Sequence, residues 1–179
     1  MNIRPIHVTD AAAYLALLQR LEAESPYAGL EAGERRTSVR EQMDDLYSLP
    51  ASSNSMIIIA EDGDTLVGWL GASGSTGSRT RHRTQLQVGV LQSYQRQGVG
   101  AGMYQQLETW ARRQDLRRLE LQVVSDNKPG IQFFRKMGFQ IEGTTRESYR
   151  IGDEYYDEYL MSKLIAEPVP PPRNPFPKW

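Results

Sequence analysis

The sequence predicts an α/β fold of the α+β mixed-sheet kind, with helices on one sheet that combines hairpins and crossovers. Three observations predict it. Apolar periodicity switches between strand and helix spacing in the order β-α-α-β-β-β-α-β-α-β-β. Turn signals at Asp62-Gly63-Asp64 and Ile151-Gly152-Asp153 join neighbouring strand patterns into hairpins. No segment repeats another, which sets aside solenoids and propellers.

Residues 3–8 read as a short first strand, and Thr9 and Asp10 are N-cap types for the helix that follows. Tyr14, Leu17, Leu18 and Leu21 give that helix one apolar face. Pro26 and two glycines break the pattern, and a second helix is predicted over 36–49 with Val39, Met43 and Leu46 as its stripe. The run Met56-Ile57-Ile58-Ile59 marks a strand buried on both faces, and 66–72 its hairpin partner. A Gly/Ser loop over 73–80 leads to a strand at 85–91 and a helix at 98–114 with Met103, Leu107, Trp110 and Ala111 inward. Residues 118–124 alternate, with Leu119, Leu121 and Val123 on one side and Glu120 and Gln122 on the other. Asp126 or Asn127 caps a short helix that carries Pro129 in its first turn and ends at Gly138. A hairpin of 139–149 and 154–164 closes the domain, expected to span residues 1–165. Residues 166–179 are expected to form a separate proline-rich tail, with six prolines in its last twelve positions.

At 179 residues, one domain is the natural expectation. The net charge of −1 argues against a nucleic-acid or membrane-surface partner. The absence of cysteine removes thiolate chemistry, and with His7 and His82 as the two histidines no metal site is expected. The N-terminal segment lacks the apolar core of a signal peptide, and no run approaches bilayer-spanning length, so a cytoplasmic location is expected.

The most informative stretch runs from Val88 to Gly100: an apolar strand, a polar turn and a glycine-marked helix start. Glycines let a backbone approach a ligand, and a helix start offers free N–H groups and the positive end of a dipole. Together they suit an anion such as a pyrophosphate. A dinucleotide fingerprint is disfavoured because its third glycine position holds Met103 and two hairpins precede the motif. A phosphate loop of the Gly-Lys-Ser/Thr type is absent.

Gln95-x-x-Gly98-x-Gly100 behind a Val-x-Val strand resembles motif A of the GNAT superfamily of N-acetyltransferases, in its bacterial branch. Asn127-x-x-Gly130-x-x-x-Phe134-x-Lys136-x-Gly138-Phe139 resembles the later family element, at a fitting distance. Glu142-Gly143, Arg146, Tyr156-Asp157-Glu158 and Met161 resemble the closing hairpin. The resemblance implies an enzyme that moves an acetyl group from acetyl-CoA to a primary amine of a small molecule or peptide, with a homodimer as the possible assembly. It implies that Val88, Gly89 and Val90 pair with the pantetheine arm and that the Val90 N–H serves the developing oxyanion. Gln95, Arg96, Gln97, Gly98, Val99, Gly100 and Ala101 would hold the pyrophosphate, and Asn127 and Phe134 would also meet the cofactor. Many relatives carry a tyrosine as the thiolate's acid where this chain has Phe134, which donates no proton. Tyr104, Tyr149 and Tyr159 are substitutes in principle. Glu120 is the carboxylate singled out as base, with Glu22 and Glu24 behind it. The alternatives are an acyl-CoA sensor of the same fold without turnover, and a dinucleotide-dependent oxidoreductase. Arg79, Arg81, His82 and Arg83 form a basic run that suits either solvent or an acidic partner.

Overall fold

The computed structural model describes residues 1–165, so the proline-rich tail lies outside the described residues. Seven strands form one sheet: β1 (Asn2–Pro5), β2 (Met56–Asp62), β3 (Thr65–Gly74), β4 (Arg83–Val90), β5 (Arg118–Val124), β6 (Gln140–Ile151) and β7 (Glu154–Leu164). Among the described residues four α-helices accompany these strands: α1 (Ala11–Glu24), α2 (Val39–Ser48), α3 (Val99–Arg113) and α4 (Lys128–Lys136). The strands lie in the order β1-β2-β3-β4-β5-β7-β6. Every neighbouring pair is antiparallel except β4 and β5, which run parallel through the α3 crossover.

The predicted element order is the observed one, and the core follows from it. On one face of the sheet, Met103 of α3 reaches Gly68 of β3, and Leu107 and Ala111 continue the buried stripe. On the other, Tyr14 of α1 meets Trp69 of β3 edge to face at 5.7 Å, with Leu17, Leu18 and Leu21 buried beside it. Ile58, Ile59 and Ala60 of β2 are buried consecutively because helices cover both faces.

Four local expectations need correction. The second helix starts at Val39, not 36, because Ser38 and Glu41 form a reciprocal capping box. Its buried positions are Gln42 and Leu46, while Val39 and Met43 are exposed. Asp10 does not cap α1 with its side chain. Its carboxylate instead accepts from both terminal nitrogens of Arg4, at 2.8 and 2.9 Å, and from the His7 N–H. The first strand therefore ends at Pro5, followed by a 3-10 turn at Val8–Asp10.

Candidate active site

β4 and β5 are bonded at only three positions, Arg83–Arg118, Thr84–Leu119 and Gln85–Glu120. Beyond them the strands part. β4 continues to Val90 on β3, and β5 continues to Val124 on β7, so two strand edges face each other across a gap. The direction of the β4 backbone follows from its last bond. Leu91 N–H donates to the Val67 carbonyl at 2.9 Å. Strand groups alternate sides, so Leu91 and Gly89 address β3, while the N–H groups of Val88 and Val90 address the gap. That is the placement an extended amide-bearing ligand would pair with.

The gap opens onto the turn before α3. The Val90 carbonyl accepts from the Gln95 amide at 3.0 Å, and the Ser93 carbonyl accepts from the Gln97 amide at 2.7 Å, which staples the loop to the strand end. Arg96 and Gly98 both take left-handed backbone conformations, φ 58° and 84°. Arg96 carries that conformation with a full side chain, which stores strain at this turn. A Cβ at Gly98 would meet nothing within 4 Å. The first α3 bond runs from Gly102 N–H to the Gly98 carbonyl at 2.9 Å, and no side chain caps the helix. The N–H groups of Val99, Gly100 and Ala101 thus precede the first intrahelical donor, Gly102 N–H. Gly100 also lets Phe133 approach, since an added Cβ would stand 3.2 Å from that ring.

Across the gap, Asn127 caps α4, its side-chain oxygen accepting from Gly130 N–H at 3.0 Å. Phe134 is buried on α4, packed edge to face with Phe133 at 5.0 Å and Phe139 at 5.3 Å, and Phe139 with Tyr104 at 5.8 Å. This aromatic chain fixes α4 against α3, so Phe134 belongs to the wall behind the gap. Burial raises the Tyr104 phenol well above its ordinary range, and Tyr149 is engaged in donating to the Ala28 carbonyl. Tyr159 is a partly buried β7 residue packed against the core.

The parting point is built from charge. Glu120 accepts from Arg83 at 3.1 Å through one oxygen and from Arg118 at 2.7 Å through the other. Arg118 also donates to Glu142 at 2.9 Å. Glu120 lies at the Gln85 register, three residues and about 10 Å of strand before Val88. The structure therefore joins the strand edge, the turn and the α3 start in one site, and places Glu120 at its closed end with both oxygens occupied. The basic run is partly absorbed here through Arg83, and the His82 carbonyl accepts from the Arg117 N–H at 2.8 Å.

The hydrogen bond from Arg118, and then that from Ser162, hold the Glu142 carboxyl down at about 2. Its stabilising contribution is complete above its unfolded value of about 4.3 and is lost as pH falls towards 2. Partial exposure screens the pair and keeps the effect small. Thermal melts should show a falling Tm between about pH 4.5 and 2, with a smaller acid loss in Arg118→Gln.

The strand order, the parted parallel pair and the uncapped helix behind a glycine turn define an acyltransferase fold. The chain belongs to the GNAT acetyltransferase family, whose sequence profile matches residues 16–139. It is 30% identical over 112 residues to the L-amino acid N-acetyltransferase AaaT of Escherichia coli K12, covering 60% of this chain and 67% of that one. It is also 30% identical over 118 residues to the N-alpha-acetyltransferase RimI of Mycobacterium tuberculosis, covering 66% and 72%. A GNAT-family acetyltransferase structure from Streptococcus pneumoniae superposes with a TM-score of 0.88 at 27% identity, covering 92% of this chain and 99% of that one. The fold is shared with yncA of Salmonella typhimurium, solved with its cofactor acetyl-CoA, at a TM-score of 0.83 and 16% identity, covering 96% and 98%.

Sequence reasoning missed the second left-handed residue at Arg96 and the two ion pairs of Glu120. A positive φ at an arginine has no sequence signal, whereas the Arg83, Arg118 and Glu120 triplet could have been paired from parallel strand register.

Proposed function

We propose that the chain transfers an acetyl group from acetyl-CoA to a primary amine of a small molecule or peptide. The observation that carries this reading is the parting of β4 from β5 beside the uncapped start of α3. The gap suits an extended pantetheine arm, and the α3 N–H groups with Arg96 suit a pyrophosphate. Open space at Gly98 admits the phosphates to the backbone. A solved structure of the same fold with acetyl-CoA, and relatives named for acetylating amino acids or α-amines, support the same reading.

In this reading the amine nitrogen attacks the thioester carbonyl, a C–N bond forms and the C–S bond breaks. The N–H groups of Val88 and Val90 face the gap and are the donors for charge developing on the carbonyl oxygen. The amine proton leaves to solvent. An α-amine with a pKa of about 8 supplies a useful neutral fraction near neutral pH without a dedicated base. The thiolate leaves without a tyrosine at position 134, as a free thiol pKa of about 8.5 permits.

Glu120 serves in this account as the ion-pair anchor of the parting strands. Glu120→Gln should change kcat by less than about threefold; loss of a general base would cost about 100-fold or more. Free-thiol release from acetyl-CoA with polyamines, amino acids, aminoglycosides and peptide N-termini tests the activity, and silence across all four classes contradicts it. Phe134 and the paired Glu120 favour a second reading, an acyl-CoA sensor, which predicts tight CoA binding by calorimetry without turnover on any amine.

A further inference from the structure

On the α1 face, a cleft of about 630 Å³ lies between the end of α1, the 25–34 loop and the 149–151 end of β6. It adjoins the end of β4. A Leu21 methyl stands 2.7 Å from where a Gly89 Cβ would lie, and the Glu24 carboxylate accepts from Gln92 N–H at 2.8 Å. Tyr27 and Tyr149 tie the loop down by donating to the carbonyls of Asp126 and Ala28.

The lining is acidic. Glu22, Glu24, Glu31 and Glu34 line it together with Arg150, and Arg35 pairs with Glu22, so the carboxylates outnumber the guanidiniums. The whole chain is nearly neutral at −1, so the bias is local. Glu22 adds a buried carboxylate to this lining. Its side chain is 4% exposed, and one oxygen accepts from Arg35 Nε at 2.8 Å and from Arg35 Nη2 at 2.5 Å. Its other oxygen is buried without any partner among the described residues. An unpartnered buried carboxylate oxygen is costly and calls for a donor. Glu31 is exposed at the rim, and its charge reaches Tyr149, whose phenol burial already raises.

We propose that this cleft selects acceptors carrying a second cationic group, such as diamines or basic side chains, over acceptors carrying a carboxylate. The distal ammonium would donate to Glu22 and lie in the field of Glu31 and Glu34, while a distal carboxylate would meet like charge. The inference rests on the acetyltransferase reading above.

Three acceptors of one length separate the charges: 1,5-diaminopentane, pentylamine and 5-aminopentanoate. Calorimetry with acetyl-CoA comes first, and kcat/KM is then measured for each acceptor. The expected order is diamine, monoamine, amino acid, with about tenfold per step from charge-assisted contacts. Glu31→Gln, exposed and safe for folding, should shrink the diamine-to-monoamine ratio at least threefold through KM, and Glu22→Gln should shrink it further. Absence of acetyl-CoA binding overturns the parent reading and this one together. Acetyl-CoA binding with equal rates across the three, with preference for 5-aminopentanoate, with no acetylation of any of them, or with a ratio unmoved in Glu31→Gln overturns this inference alone.

Discussion

Gly98→Asp should weaken acetyl-CoA binding at least 100-fold while leaving the fold almost untouched. Position 98 sits at φ 84° at the N-cap of α3, and its added side chain meets no neighbour. Aspartate is among the residues that visit this left-handed conformation, at a cost of about 1 kcal/mol. Tm should therefore move by no more than about 3 °C, the equivalent of about 1 kcal/mol for a chain of this size. The same carboxylate, however, would occupy the space open to an anion and place like charge on the uncapped N–H groups of Val99, Gly100 and Ala101. A 100-fold loss corresponds to about 2.7 kcal/mol, in the range of a displaced charge-assisted contact with added repulsion. Calorimetric titration with acetyl-CoA, beside a thermal melt, reads both quantities on one preparation. Gly98→Ala separates strain from charge and should bind more tightly than Gly98→Asp.

Leu107→Ala should cost about 3 kcal/mol of stability and lower Tm by about 6–12 °C. Leu107 is fully buried on α3, between Met103 and Ala111, and α3 is the crossover that links β4 to β5. The cavity left there loosens the helix whose first turn forms the proposed pyrophosphate site. Urea denaturation gives the stability change. Acetyl-CoA affinity at 15 °C, below the lowered transition, should stay within about threefold of the parent, since the N–H groups at positions 99–101 lie about two turns of α3 away from the lost methyls. A stability change under about 1 kcal/mol would contradict the packing described here.

The element order was legible because the local signals agree with the tertiary fold. Leu17, Leu18 and Leu21 on α1, and Met103, Leu107 and Ala111 on α3, are periodic and buried. Gly138 and Gly152 take positive φ where a helix stop and a hairpin turn were read. The α2 stripe misled because Val39 and Met43 stand exposed on a short helix whose inward contacts come from Gln42 and Leu46. The glycine turn was legible as the proposed anion site because the chemistry proposed there is backbone chemistry, encoded in Gly98 and Gly100. The ion-pair settings of the candidate carboxylates were not. Glu120 looks free in an alternating strand, and only the parallel register with Gln85 brings Arg83 to it. Glu22 reads as a candidate base behind Glu120, and its burial and its pairing with Arg35 of the 25–38 segment have no signal in the local pattern.

The gap between β4 and β5, with the first turn of α3, is the proposed seat of acetyl-CoA. The most direct measurement is a titration of 15N-labelled protein with acetyl-CoA, following backbone amide shifts. Val88, Val90, Val99, Gly100 and Ala101 should shift most, and Gly98→Asp should abolish the response at the same ligand concentration. Saturable binding whose largest shifts fall elsewhere, with those five amides unmoved, would contradict it.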